Sequence, residues 1–219
     1  MWNEQIIMML LEGIKDTLYM TLTSTLIGYV IGLPMGIVLT VTDKDGIRPN
    51  AAVYKVLDVI SNLLRSIPFI ILLIVLIPFT RFVVGRSYGS TATIVPLTIA
   101  AAPYIARMVE SSLKEVDAGV IEAARSMGAS DFQIVTKVML VEARTSLIVG
   151  ATISLGTILG YSAMAGTVGG GGLGDIAIRY GYTRWQTDIM IVTVILLVIL
   201  FQIFQTIGMK LASNLDRRK

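Results

Sequence analysis

Charge-free stretches dominate this chain: 17–42, 66–80, 87–106, 145–174 and 189–209 contain no Asp, Glu, Lys or Arg. A helix that crosses a hydrocarbon core needs about 20 residues at ~1.5 Å each. Four of the stretches are long enough outright. The second is short, and it reaches span length only by starting near Asp58 and taking Arg65 along. Arg65 then either snorkels to the interface or faces a polar cavity or a partner subunit. The fourth stretch is too long for one helix and turns glycine-rich in its second half, so its helix is expected to end near Ala165. The pattern predicts an all-α membrane protein with five transmembrane helices. Its main unit is 13–209, after an N-terminal interfacial segment 1–12 and before a basic tail 210–219. An amphipathic stretch at 6–14 supplies the interfacial helix. Glu4, Glu12 and Asp16 give this start the wrong charge for a cleavable export signal.

One polar interval breaks the greasy pattern, from Lys114 to Arg144, between the third and fourth spans. Val120, Ala123, Ala124 and Met127 recur at helical spacing and give a small apolar face. Gly128 is placed to end that helix, and Ser130 or Asp131 to cap a second one bearing Ile134, Val135 and Val138. The interval is either an amphipathic loop resting on the bilayer or a surface that a soluble partner reaches. Alanines allow close insertion into a groove, with Glu122 at the rim.

Charge supplies the orientation. Lys44, Arg48, Lys55, Lys114, Arg125, Lys137, Arg144, Lys210, Arg217, Arg218 and Lys219 fall on one side of a five-span arrangement. Lys15, Arg81, Arg86, Arg179 and Arg184 fall on the other. The excess predicts N-out/C-in, with Arg65 and Arg107 set aside near boundaries, and puts the two short helices in the cytoplasm. The net charge of +3 is dispersed and makes no nucleic-acid surface. At 54% apolar and 15% charged, the chain has too few charges for the shell of a soluble domain.

Cys and His are both absent, which excludes disulfides, Cys or His catalysis and thiolate or imidazole metal sites. The spans carry no carboxylate pair and no lysine, unlike those of secondary transporters and ion pumps. Neutral polar groups in the fourth span (Thr152, Ser154, Thr157, Tyr161 and Ser162) serve either interhelical hydrogen bonding or the lining of a passage. Tyr161 to Met164 are placed to form a gate. Pro96 and Pro103 suggest a curved or broken third span. Residues 169–174 contain G-x-G-x-x-G, but after an apolar span and with Asp175 where a phosphate loop has lysine. They read as a flexible extracytoplasmic loop. Gly28, Gly32, Gly36, Gly156 and Gly160 allow close helix packing without saying where. A chain of 219 residues is small for a whole transport path, so a homodimer is expected to enclose one.

At Glu122-Ala123-Ala124, three residues and Gly128, the chain resembles the permease subunits of ABC importers. Their signature continues for nine residues to Ile-x-Leu-Pro, where this chain has Val138, Leu140 and, in place of proline, Val141. The stretches 64–73, 94–98, 102–110 and 160–164 are similar to the methionine-uptake permeases. The resemblance implies a compact type I importer permease of the bacterial cytoplasmic membrane, carrying D- or L-methionine. Glu122, Ala123, Ala124, Met127, Gly128 and Ala129 would couple it to an ATPase. Arg65, Ser66, Pro68, Tyr161, Ser162 and Met164 would line or gate the path. The implied partners are a second copy of the chain, two cytoplasmic ATPase subunits and an extracytoplasmic methionine-binding lipoprotein. ATP and Mg would be bound by the ATPase, so this chain is expected to be no enzyme and to hold no cofactor or metal. Two alternatives stay open: the same architecture importing another small amino acid or polar solute, and a channel or structural membrane subunit. The methionines of the chain say nothing about cargo, because Met is an ordinary span residue.

Overall fold

The computed structural model describes residues 4–215, and no strand occurs among them. Residues 1–3 of the N-terminal segment and Arg217, Arg218 and Lys219 of the tail lie outside the described residues. Helix α1, Glu4–Thr42, runs unbroken for 39 residues. At roughly 58 Å it is about twice as long as the hydrocarbon core is thick. The amphipathic stretch is therefore continuous with the first span, and no break marks a boundary at residue 13. The reason is tertiary: Leu10 is buried against Leu173, Ile176 and Ile189 instead of lying on a membrane surface.

The second span differs from its expectation. Helix α2, Ala51–Ser66, starts at Asn50, whose side chain accepts from the Val53 amide at 3.2 Å. It meets helix α3, Phe69–Val75, at an angle of 101°. Pro68 disfavours helical backbone at Ile67, which is extended (φ −80°, ψ 124°), so the helix must stop there. Helix α4, Ile77–Val84, completes the region. Four helices are long and apolar enough to cross a membrane alone, and the bent α2–α3 pair makes a fifth span if counted as one.

Helix α5, Ser90–Lys114, stays helical through Pro96 and Pro103, so neither proline breaks the third span. Then follow α6, Ala118–Ser126, and α7, Asp131–Gln133. A π-helical turn, Ile134–Met139, leads to α8, Leu140–Glu142. Helix α9, Arg144–Ala165, ends at the residue that the glycine run predicts. A 3-10 turn, Gly166–Val168, leads to α10, Gly172–Ile176, and a second π-helical turn, Ala177–Tyr182. Last comes α11, Thr187–Leu215.

Helices α1 and α5 form the centre, with Met20, Leu97, Ala101, Ile105 and Val109 buried between them and their neighbours. In lipid, helices associate through close packing and not through hydrophobic expulsion. Gly32 and Gly36 provide that closeness: a Cβ there would lie 2.6 Å from the Ala102 carbonyl oxygen and 2.5 Å from that of Ala106. Gly156 packs on the Phe201 ring, whereas Gly160 faces open space. Only 11% of the apolar stretch of α11 is buried within the subunit, so most of this helix faces outward.

The glycine-rich segment after α9 is a packed corner, not a flexible loop. The Gly89 amide donates to the Gly169 carbonyl at 2.9 Å, and the Thr93 hydroxyl to that of Gly170 at 3.2 Å. The Leu173 amide donates to Thr17 Oγ1 at 2.9 Å. These bonds pin the corner to α5 and α1, partners that no local sequence pattern reveals.

Candidate coupling site and mid-span cleft

Helix α6 is short, and its ends are set by local chemistry. Asp117 caps it, accepting from the Gly119 amide at 2.7 Å. At the other end Gly128 takes φ +82°, a left-handed conformation that costs glycine nothing. The Ala129 amide then closes on the Ala124 carbonyl at 3.1 Å. Ser130, and not Asp131, opens the next helix through a reciprocal capping box with Gln133.

The faces of this knuckle sort the expected coupling residues. Glu122, Ala123, Met127 and Gly128 are exposed, Met127 to 81%. Ala124 is buried, in the core that holds Ile134, Val135 and Met139, and Ala129 is packed against it. Ala124 and Ala129 thus brace the knuckle, and the outer four form its free face. Val120 and Phe132 add to that face, Phe132 being 76% exposed. Phe132 escaped the sequence reading because its exposure depends on where α7 sits. Met127 and Phe132 thus leave large apolar side chains exposed beside a capped turn. Val141, which stands where the signature has proline, is exposed on α8.

A partly buried ionic network, centred on Glu110, adjoins the knuckle, and the sequence reading missed it as well. Glu110, its side chain 6% exposed, pairs with Arg107 at 2.7 Å and Lys114 at 2.8 Å. Arg107 also pairs with Asp58, and Lys114 with Asp43 at 2.7 Å. Arg107 and Glu110 lie just past the end of the third charge-free run, so counting runs placed them outside the bundle.

The hydrogen bond from Lys114 holds the Asp43 carboxyl below the usual carboxylate range. A carboxyl depressed on folding stabilises the fold above its unfolded value, about 3.9, and that stability is lost as pH falls through the folded value. Asp43→Asn should therefore lower the melting temperature equally at pH 7 and pH 5. The gap to the unsubstituted chain should close only below about pH 4. Thermal unfolding across that series checks it.

The expected path residues meet only in part. A cleft of about 150 Å³ is lined by Leu64, Arg65, Ile67, Phe69, Leu72, Ala100, Tyr104 and Tyr161. The Phe69 and Tyr161 rings stack, with centroids 4.5 Å apart and planes 5° from parallel. Ala100 and Tyr104 sit near the middle of α5, so the cleft is at mid-span depth. Arg65 makes no ion pair among the described residues. Ser66 donates to the Asn62 carbonyl at 2.7 Å, ending α2, and Pro68 stands at the bend. Ser162 is elsewhere: it is buried, donates to the Leu159 carbonyl at 2.8 Å and accepts from Thr21 at 3.4 Å, in the α1–α9 interface. Met164 is half exposed on α9. No group of three acidic side chains able to hold a metal ion occurs among the described residues.

The sequence profile of the binding-protein-dependent transport system inner membrane components matches residues 16–219. The chain belongs to this family. It is thus a multi-pass inner-membrane protein, the component of an importer that spans the bilayer. The probable D-methionine transport system permease protein of Vibrio cholerae is 48% identical over 210 residues, covering 96% of this chain and 93% of that one. The D-methionine permease protein of Escherichia coli K12 is 53% identical over 164 residues, 75% of this chain and 76% of that one. Among solved structures, a chain of the inward-facing MetNI methionine ABC transporter superposes with a TM-score of 0.97 at 49% identity, covering 99% of this chain and all of that one. An amino acid ABC transporter crystallised with histidines shares the fold, with a TM-score of 0.73 at 21% identity over 98% of this chain and 96% of that one.

Proposed function

We propose that this chain is the permease subunit of an ATP-driven importer of methionine, working as a homodimer with two ATPase subunits and an extracytoplasmic binding lipoprotein. It is oriented N-out/C-in, so that the α6 knuckle faces the cytoplasm. The observation that carries the ATP-driven reading is the knuckle: a rigid, doubly capped turn that presents Glu122, Ala123, Met127 and Phe132 to solvent while its inner face is packed. The cargo is supported by relatives named for D-methionine across nearly the whole chain.

Closure of the ATPases draws the two knuckles together, and the attached spans rock the path from one side of the membrane to the other. The chain binds no ATP or Mg itself. Substrate passes the cleft between α2 and α9, where Arg65 meets its carboxylate and the Phe69–Tyr161 pair closes the passage. Ser66 and Pro68 hold the bend that aims Arg65, and Met164 lies on the path face of α9. Ser162 has a packing role in this scheme.

A tagged copy of the chain, purified in mild detergent from its native cells, should bring down an ABC ATPase in equal number. Purification without any ATPase would favour the channel alternative. Arg65→Gln should lower uptake by about tenfold, the loss of one charge-assisted contact, with assembly and ATP hydrolysis unchanged. Proteoliposome uptake at several methionine concentrations measures it.

A further inference from the structure

Helix α2 brings Leu64 and Arg65 to the cleft, yet apolar packing barely holds it. Of its sixteen residues only Ser61 is fully buried. What fastens α2 to the rest of the subunit is polar. The Arg107 guanidinium clasps the Asp58 carboxylate and donates to Asn62 Oδ1 at 3.1 Å and to the Asp58 carbonyl at 3.3 Å. One turn further on, Glu110 backs Arg107 and accepts from the Tyr54 hydroxyl at 3.4 Å.

The same network continues to the knuckle. Glu110 takes Lys114, and Lys114 takes Asp43 just past the end of α1. Within the same connector the Ile47 carbonyl accepts from Arg125 of α6 at 2.8 Å. Ion pairs and hydrogen bonds, joined through the backbone of 43–47, therefore link α6 to a point on α2 about two helical turns before Arg65. Along the chain, by contrast, α2 and α6 are separated by α3, α4 and α5.

We propose that Arg107 is a positioning residue that makes α2, and with it the Arg65 wall of the cleft, follow movements of α6. The proposal rests on the reading of α6 as the docking helix. Arg107 suits the role because a planar guanidinium bonds in fixed directions, where an ammonium pivots. Its side chain is 15% exposed, so water competes little for these bonds. Moving α2 alone would break the bonds of Arg107 to Asp58 and Asn62 together, and would leave the guanidinium, the more buried partner, with Glu110 only.

The absence of cysteine lets a single introduced one carry a label in each subunit. Val56→Cys on the exposed side of α2 and, separately, Ala118→Cys at the start of α6 are spin-labelled in the complex with the ATPase. Distances between the two copies are compared without nucleotide and with ATP trapped. Both should change in the otherwise unsubstituted chain. With Arg107→Gln added, the change at 118 should persist, while that at 56 shrinks by roughly half or more and uptake per ATP falls about tenfold. Arg107→Lys should fall between. If Arg107→Gln does not assemble, Asp58→Asn, which leaves Arg107 its bond to Glu110, is read in the same way. A full change at 56 with normal uptake per ATP overturns the proposal and leaves α6 as the docking helix. No change at either position in the unsubstituted chain overturns both.

Discussion

An arginine in place of Ala123 is expected to stop ATP-driven uptake while the subunit folds and inserts as before. Ala123 is exposed on the outer face of α6, so its own subunit has room for a longer side chain. Surface substitutions of this kind usually change stability by no more than about 0.5 kcal/mol. The cost appears when the ATPase docks, because a small residue that enters a groove leaves no space for a guanidinium. Losing a central contact of an interface costs about 2–4 kcal/mol, or a roughly 30- to 1000-fold weaker complex. Binding-protein-stimulated ATP hydrolysis and uptake should fall together. The neighbouring Ala124 makes the contrast. It is buried against the π-helical turn, so Ala124→Arg should lower the melting temperature and yield of the subunit even without ATPase. If the two variants behave alike, α6 is not docked as described.

The second large effect belongs to Gly32. A Cβ there would stand 2.6 Å from the Ala102 carbonyl oxygen and 2.9 Å from Ile105 Cβ. Neither is the mobile end of a side chain, so the helices themselves must separate. Overpacking typically costs about 1–3 kcal/mol, and Gly32→Val, with a branched side chain against backbone, belongs at or above that upper end. A loss of roughly 10 °C in the temperature of half-inactivation is expected. Gly160→Ala is the control, since nothing stands within 4 Å of its added carbon. It should be neutral or slightly stabilising, by up to ~1 kcal/mol, because alanine is the better helix former.

These two glycines mark what the sequence could tell and what it could not. Features written in adjacent residues were legible: the end of α9 at Ala165, the turn at Gly128 and the cap on the second short helix. Each depends on the conformation of a few neighbouring residues. The direction in which a residue faces was harder. Ala123 and Ala124 are both small, and nothing local says that one is exposed while the other packs against the π-helical turn. The same blindness hid the difference between Gly156, under Phe201, and the open Gly160. It also turned a packed corner at 169–174 into a loop, because Thr17, Gly89 and Thr93 are far away in sequence. The ionic network joins Asp43, Asp58 and Arg107 across helices, so span counting could not find it. The bend at Ile67 was signalled by Pro68, and only the shortness of the apolar run concealed it. Among the expected path residues, Arg65 and Tyr161 do share a cleft, while Ser162 faces α1, where it accepts from Thr21 and donates to the Leu159 carbonyl of its own helix.

Labelled methionine uptake into proteoliposomes tests the central claim most directly. The purified chain and its co-purifying ATPase are reconstituted, with the binding protein and methionine on one side and ATP on the other. Methionine should accumulate against its gradient with ATP and Mg, and not with a non-hydrolysable analogue or with the Ala123→Arg chain. Equilibration without ATP, or accumulation that Ala123→Arg leaves intact, would contradict the account.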